Sequence, residues 1–153
     1  MATVFWDSKG ILLIEYTKKG ETINAASYAT TLRNLREAIK EKRRGKLTAG
    51  VLLLHDNAPI HTVRVSKAGV QDCGFEEINH PPYSPDLAPS DYHLFPILNK
   101  DLRGKQFSND EELKAAINTH FLDKEEGYFS QGIEKLISRC NKCIEVMGDY
   151  IEK

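Results

Sequence analysis

Val51-Leu52-Leu53-Leu54 is a short, unbroken apolar run that stops abruptly at His55-Asp56-Asn57. Four apolar residues bounded by polar ones read as a buried β-strand, because a helix needs a longer, periodic pattern. The run is embedded in a regular succession of elements. Residues 3–6 and 11–16 are rich in β-branched, aromatic and aliphatic side chains, and Asp7-Ser8-Lys9-Gly10 between them supplies turn chemistry, so they read as a hairpin. Ile11-Leu12-Leu13-Ile14 shows little polar alternation, which predicts a strand covered on both faces. From Asn24, a good N-cap, Tyr28, Leu32, Leu35 and Ile39 recur at helical spacing. A short helix over residues 62–71 and a weaker strand over 75–78, reset by Gly74, complete the order strand, strand, helix, strand, helix, strand. That order defines a mixed α/β domain.

The stretch His80-Pro81-Pro82-Tyr83-Ser84-Pro85-Asp86-Leu87-Ala88-Pro89 carries four of the six prolines. Proline fixes φ and drives its predecessor to extended geometry, so this loop is stiff. Ser90 is placed to cap a helix beginning at Asp91, and Pro96 should disturb that helix by removing the bond to the Tyr92 carbonyl. The tail is helical: Ser108-Asn109-Asp110-Glu111 reads as a capping box, and Phe129, Ile133, Leu136, Ile137, Cys140, Ile144 and Met147 form a second apolar face. No internal repeat or low-complexity segment interrupts the 153 residues, and a single domain is expected.

Composition bounds the function. Twenty-one Lys and Arg oppose 22 Asp and Glu for a net charge of −1, which argues against a uniformly basic nucleic-acid coat while leaving room for a local basic stretch. Lys40-Glu41-Lys42-Arg43-Arg44-Gly45-Lys46 is such a stretch; it reads either as a solvated helix end or as a phosphate contact. Three cysteines, Cys73, Cys140 and Cys143, do not make a secreted disulfide framework. No run approaches the ~18 apolar residues needed to span a bilayer. A soluble intracellular chain is expected, without membrane contact.

An acid at the carboxyl end of a buried strand is the strongest chemical signal, because side chains converge there on a fixed backbone. Asp56 occupies that place, and Asp91 stands at the start of a helix after the stiff loop, where backbone N–H groups favour an anion. Two hard oxygen ligands on separate rigid elements suit Mg²⁺. Aspartate is also common in turns and at helix starts for structural reasons. Cys140-Asn141-Lys142-Cys143 has the gap of a zinc or redox pair but no second pair, and buried free thiols are the simpler reading. His61, His80 and His93 surround the candidate site in sequence, each with a structural reading beside a functional one. No Gly-rich phosphate loop or Gly-x-Ser-x-Gly elbow is present.

His55-Asp56-Asn57-Ala58-Pro59-Ile60-His61, followed by Tyr83-Ser84-Pro85-Asp86-Leu87-Ala88-Pro89-Ser90-Asp91-Tyr92-His93-Leu94-Phe95, resembles the catalytic core of mariner-family transposases. Thirty-four residues lie between Asp56 and Asp91, the spacing of that family's second and third catalytic aspartates. The resemblance extends from Val4-Phe5-Trp6-Asp7 and Lys19-Gly20-Glu21-Thr22-Ile23-Asn24 to Gly132-Ile133 and Cys143. It implies an RNase H-like mixed sheet flanked by helices, with a helical C-terminal part. It also implies DNA strand cleavage and transfer with Mg²⁺ or Mn²⁺, and Asp56 and Asp91 as catalytic metal ligands. Asp86 matches a word of the family without a ligand role, and is expected to order the loop.

The family's first aspartate lies on a central strand farther upstream, and neither Asp7 nor Glu15 takes its place. The chain is therefore expected to be N-terminally truncated relative to the family, without that strand and without the helix-turn-helix region that recognises transposon ends. A gap between the hairpin and the strand ending at Asp56 should result. DNA binding is then expected to be weak and nonspecific, the chain a homodimer in the nucleus, and its cleavage activity impaired. No small-molecule cofactor is expected. The rival reading is a non-catalytic, transposase-derived module for dimerisation or DNA contact.

Overall fold

The computed structural model describes residues 2–17, 21–55, 64–78 and 85–147. Two compact units emerge, one from residues 1–6 with 11–83, the other from 7–10 with 84–153. β1 (Ala2–Asp7) and β2 (Gly10–Tyr16), whose residues 2–6 and 11–16 belong to the first unit, form the expected hairpin. Its turn is built by Asp7, whose Oδ1 accepts the Lys9 N–H at 2.9 Å, and by Gly10 at φ +136°. α1 (Ala25–Lys42) starts at Asn24, whose side chain accepts from Ser27 N while the Ser27 hydroxyl accepts from Asn24 N. The four-residue helix α2 (Lys46–Ala49) leads to β3 (Val51–Leu53). β4 (Phe75–Glu77) runs parallel to β3, with Val51 opposite Phe75 and Leu53 opposite Glu77, and α3 (Arg64–Asp72) lies between them in sequence. Gly74, at φ +74°, turns the chain from α3 into β4.

The predicted stripe on α1 is the one that is buried: Tyr28, Leu32, Leu35 and Ile39 join Leu12, Val51, Leu53, Val70, Cys73 and Phe75 in one core. α3 approaches α1 closely at Gly69, where an added Cβ would stand 3.1 Å from that of Ala29. Among the described residues the strands make two separate two-stranded sheets, and no ladder joins the hairpin to β3. Two expectations about strands need correction. Leu52 is 63% exposed between buried Val51 and Leu53, so β3 covers only one face. In β2 only Leu12 of the 11–14 run is fully buried. An apolar run shows that one face can be buried but not that both are.

In the second unit a 3₁₀ turn (Pro85–Leu87) is followed by a π-turn (Ser90–Leu94), α4 (Phe95–Leu102), α5 (Asp110–Leu122) and α6 (Glu126–Glu145). Ser90 does not cap a helix; Pro89 already has helical dihedrals (φ −53°, ψ −34°), preset by its ring, so the helical path begins before Ser90. The disturbance expected from Pro96 takes the form of the π-turn, in which the Phe95 N–H reaches back to Ser90 O. The α5 cap falls one residue later than expected: Asn109 accepts from Glu112 N, and the Glu112 carboxylate accepts from Ser108 N. The apolar face expected on α6 is only partly buried. Phe129 packs inside, whereas Ile137, Ile144 and Met147 are 72%, 76% and 97% exposed. No helix among the described residues is long and apolar enough to cross a membrane.

Candidate active site

Of the two carboxylates singled out, Asp56 lies outside the described residues, as do His61 and His80. Asp91 is described: it is exposed, in the first turn of the Ser90–Leu94 stretch, where its negative charge is favoured. The winding tightens and then opens across it. Asp91 N bonds to Ala88 O at 2.8 Å, Tyr92 N to the same oxygen at 3.0 Å, and Phe95 N to Ser90 O five residues back. Such wide turns recur at functional positions.

The two residues after Asp91 are fastened to α6. The Tyr92 hydroxyl donates to Gly132 O at 2.5 Å, and burial pushes its pKa up to about 12 against the opposing effect of Arg139. It therefore stays a donor across the ordinary pH range. The buried His93 ring bonds through Nε2 to Tyr128 O at 2.7 Å; since a carbonyl only accepts, that nitrogen carries the proton. A Cβ at Gly132 would overlap the His93 ring, so glycine is what lets α6 come this close. Arg139 stacks on the Tyr92 ring and donates to Asp86 O at 3.3 Å. His93 is thus a structural histidine, and Asp86 helps order the loop through its backbone. Nothing in the sequence pattern singled out Arg139, because its partners lie about fifty positions away.

The strand end that leads to Asp56 is also fixed. Leu53 O accepts from Ile78 N at 2.8 Å, the last bond beside the β3–β4 ladder. Two residues on, the His55 ring bridges Tyr28 on α1, through Nδ1 at 2.6 Å, and Glu77 on β4, through Nε2 at 2.5 Å. The His55 side chain is 7% exposed and its ring lies at 22° to that of Tyr28. The helical spacing marked Tyr28 only as core, and Glu77 lay unremarked in the weaker strand.

The remaining candidates separate by exposure. Lys40, Lys42, Arg44 and Lys46 are exposed at and beyond the end of α1, and Lys42 Nζ also donates to Leu12 O at 2.9 Å. Cys140 and Cys143 are free and half-buried rather than buried. They sit on the partly open face of α6. Among the described residues no three His, Cys, Asp or Glu side chains gather as a metal cluster, and Asp91 by itself offers one carboxylate, a donor type that suits Mg²⁺.

Residues 1–49 match the family described as Transposase (partial DDE domain). Mariner Mos1 transposase of Drosophila mauritiana is 40% identical over 154 residues, which cover 99% of this chain and 45% of that protein. Histone-lysine N-methyltransferase SETMAR of Homo sapiens is 33% identical over 153 residues, 99% of this chain and 22% of that one. The chain thus spans less than half the length of these curated relatives. The solved catalytic domain of Mos1, crystallised with raltegravir and Mg, superposes with a TM-score of 0.94 at 40% identity, over 97% of this chain and 75% of that one. The same domain is known with Mn. The Mos1 paired end complex with Mn superposes with a TM-score of 0.93, over 44% of its chain.

Proposed function

The chain belongs to the mariner transposase family, as a homologue of the catalytic domain with its RNase H-like fold, and we propose that it carries part of a site for metal-dependent DNA cleavage and strand transfer. The observation that carries this reading is likeness across nearly the whole chain to a catalytic domain solved with Mg and with Mn. Asp56 and Asp91 are assigned as the carboxylates that would hold a divalent cation. The chemistry such a cation supplies is stabilisation of the attacking and leaving oxygens of an in-line displacement at phosphorus.

The chain's own residues supply the framework. Tyr92 and His93 hold the turn bearing Asp91 against α6, and β3 delivers the chain to Asp56. DNA is the partner assigned, contacted through phosphates by the exposed Lys40, Lys42, Arg44 and Lys46, which carries no sequence preference. Self-association and a nuclear location belong to the same proposal, the first supported by the paired end complexes of Mos1. Only two of the family's three carboxylates are assigned here, so nicking by this chain alone is expected at trace level.

The test is Mn²⁺ binding by the purified chain beside its Asp56→Ala and Asp91→Ala variants, with plasmid nicking in parallel. Binding lost in both variants supports the assignment. Binding that neither substitution changes removes it, and binding without any nicking favours the non-catalytic DNA-contact reading.

A further inference from the structure

We propose that Cys140 and Cys143 on α6 are half of a tetrahedral zinc site, which a second copy of the chain completes by offering the same two thiols. Both cysteines are free and half-buried, so neither is tied up in a disulfide or sealed in the core. They stand three positions apart, within one turn of α6. Residues at that spacing have Cβ atoms about 5–6 Å apart, close enough for both sulfurs to reach one ion at about 2.3 Å.

Two thiolates do not make a structural zinc site, because Zn²⁺ in such sites takes four ligands in a tetrahedron. Among the described residues no third His, Cys, Asp or Glu gathers with the pair. The remaining cysteine, Cys73, is 1% exposed in the core of the first unit, and the sequence holds no second Cys-x-x-Cys pair. A two-fold axis supplies the missing donors, since a symmetric interface presents the same patch twice. When two copies of α6 run antiparallel about an axis between Cys140 and Cys143, Cys140 of one copy comes opposite Cys143 of its partner. Four thiolates then surround one point.

The surface beside the pair fits a second copy of the same helix. Ile137 stands three residues before Cys140 and Ile144 four residues after it, and they are 72% and 76% exposed. Met147, four residues beyond Cys143, is 97% exposed. Apolar side chains gathered at a surface mark an interaction face, and here they flank the two thiols. The Asp56 and Asp91 assignment plays no part in this site. Thiolates are soft ligands that select Zn²⁺, whereas carboxylates suit Mg²⁺ and Mn²⁺.

The experiment titrates the full chain, metal-free and kept reduced, with Zn²⁺ and with Co²⁺ as a coloured substitute. Mass in solution is read by light scattering during gel filtration. The thiolate-to-cobalt charge-transfer absorption reports sulfur ligation separately from any carboxylate. One metal per two chains is expected, with a doubling of mass on adding Zn²⁺ that EDTA reverses. Cys140→Ser and Cys143→Ser should each abolish the doubling and weaken Zn²⁺ binding by more than about tenfold, since even a supporting contact of a metal site is worth that much. The thermal midpoint of the metal-free protein should stay unchanged in both. Ile137→Glu, which keeps both thiols, should weaken the doubling. One sulfur-ligated Co²⁺ per chain at unchanged mass overturns the shared site. Doubling that persists in the cysteine variants overturns the role of the thiols, and an Ile137→Glu chain that pairs as tightly as the wild type overturns this face of α6 as the interface. No sulfur-ligated metal at any concentration overturns the site altogether and leaves Cys140 and Cys143 as free thiols.

Discussion

The guanidinium of Arg139 lies 4.3 Å from the centre of the Tyr92 ring, and the same side chain donates to Asp86 O. One residue of α6 therefore holds both the 3₁₀ turn and the turn that carries Asp91. Arg139→Ala should cost about 2 kcal/mol, the sum of a partly desolvated cation–π contact and one hydrogen bond. Arg139→Lys should recover little, because an ammonium cannot stack and donate sideways at once. Urea denaturation of the three proteins measures this.

The Tyr92 hydroxyl, raised from 10.0 to about 12, makes stability fall at alkaline pH. Its folded-state value is the higher one, so its contribution is complete below 10.0 and is lost as pH rises through about 12, where the unfolded chain ionises first. Tyr92→Phe should flatten that limb of the curve of thermal midpoint against pH. Tyr16 and Tyr128, also raised by burial, should keep part of the slope.

Gly132→Ala should destabilise the second unit by roughly 1–3 kcal/mol, because the new methyl group meets the buried His93 ring. Gly127 on the same helix faces open space, and Gly127→Ala should be neutral or stabilising by up to about 1 kcal/mol. Opposite signs at two glycines of one helix, read by thermal melts, separate packing from helix propensity.

Asp101 accepts from the buried His120 Nδ1 at 2.9 Å, and this hydrogen bond, with a smaller pull from Lys105, holds its carboxyl below the ordinary 3.8. The folded state then binds this proton less readily than the unfolded one. The contribution is complete above 3.8 and is lost as pH falls through the lower folded value. Asp101→Asn should melt below the wild type at neutral pH, with the gap closing in acid. Parallel melting curves down to strongly acid pH would count against this account.

Exchanging Ile137, Ile144 and Met147 for glutamine or serine should change stability by no more than about 0.5 kcal/mol each, since all three are exposed. The same triple variant should scatter less light than the parent in concentrated solution, because the exposed apolar patch is gone.

Local signals were the legible ones. The α1 stripe and its Asn24 cap follow from spacing and one short polar side chain, and both are found as read. The expected face on α6 has the same periodicity, yet most of it meets solvent among the described residues, because periodicity reports what a helix could bury and not what it meets. Asp91 is proposed from the residues around it, whereas the Arg139, Gly132 and Glu77 contacts join distant stretches of chain that no local pattern links.

The π-turn at Ser90–Leu94 holds one residue more than an α-turn would. A single deletion within it could therefore be healed by reverting to ordinary α-helical winding, with the helix beyond left whole. Positions inside the turn would then shift by up to about 100° around the axis, while the stretches on either side keep their relation. The fold would survive such an event while Asp91 swung to another face, so a one-residue length change here could silence the site without unfolding the chain.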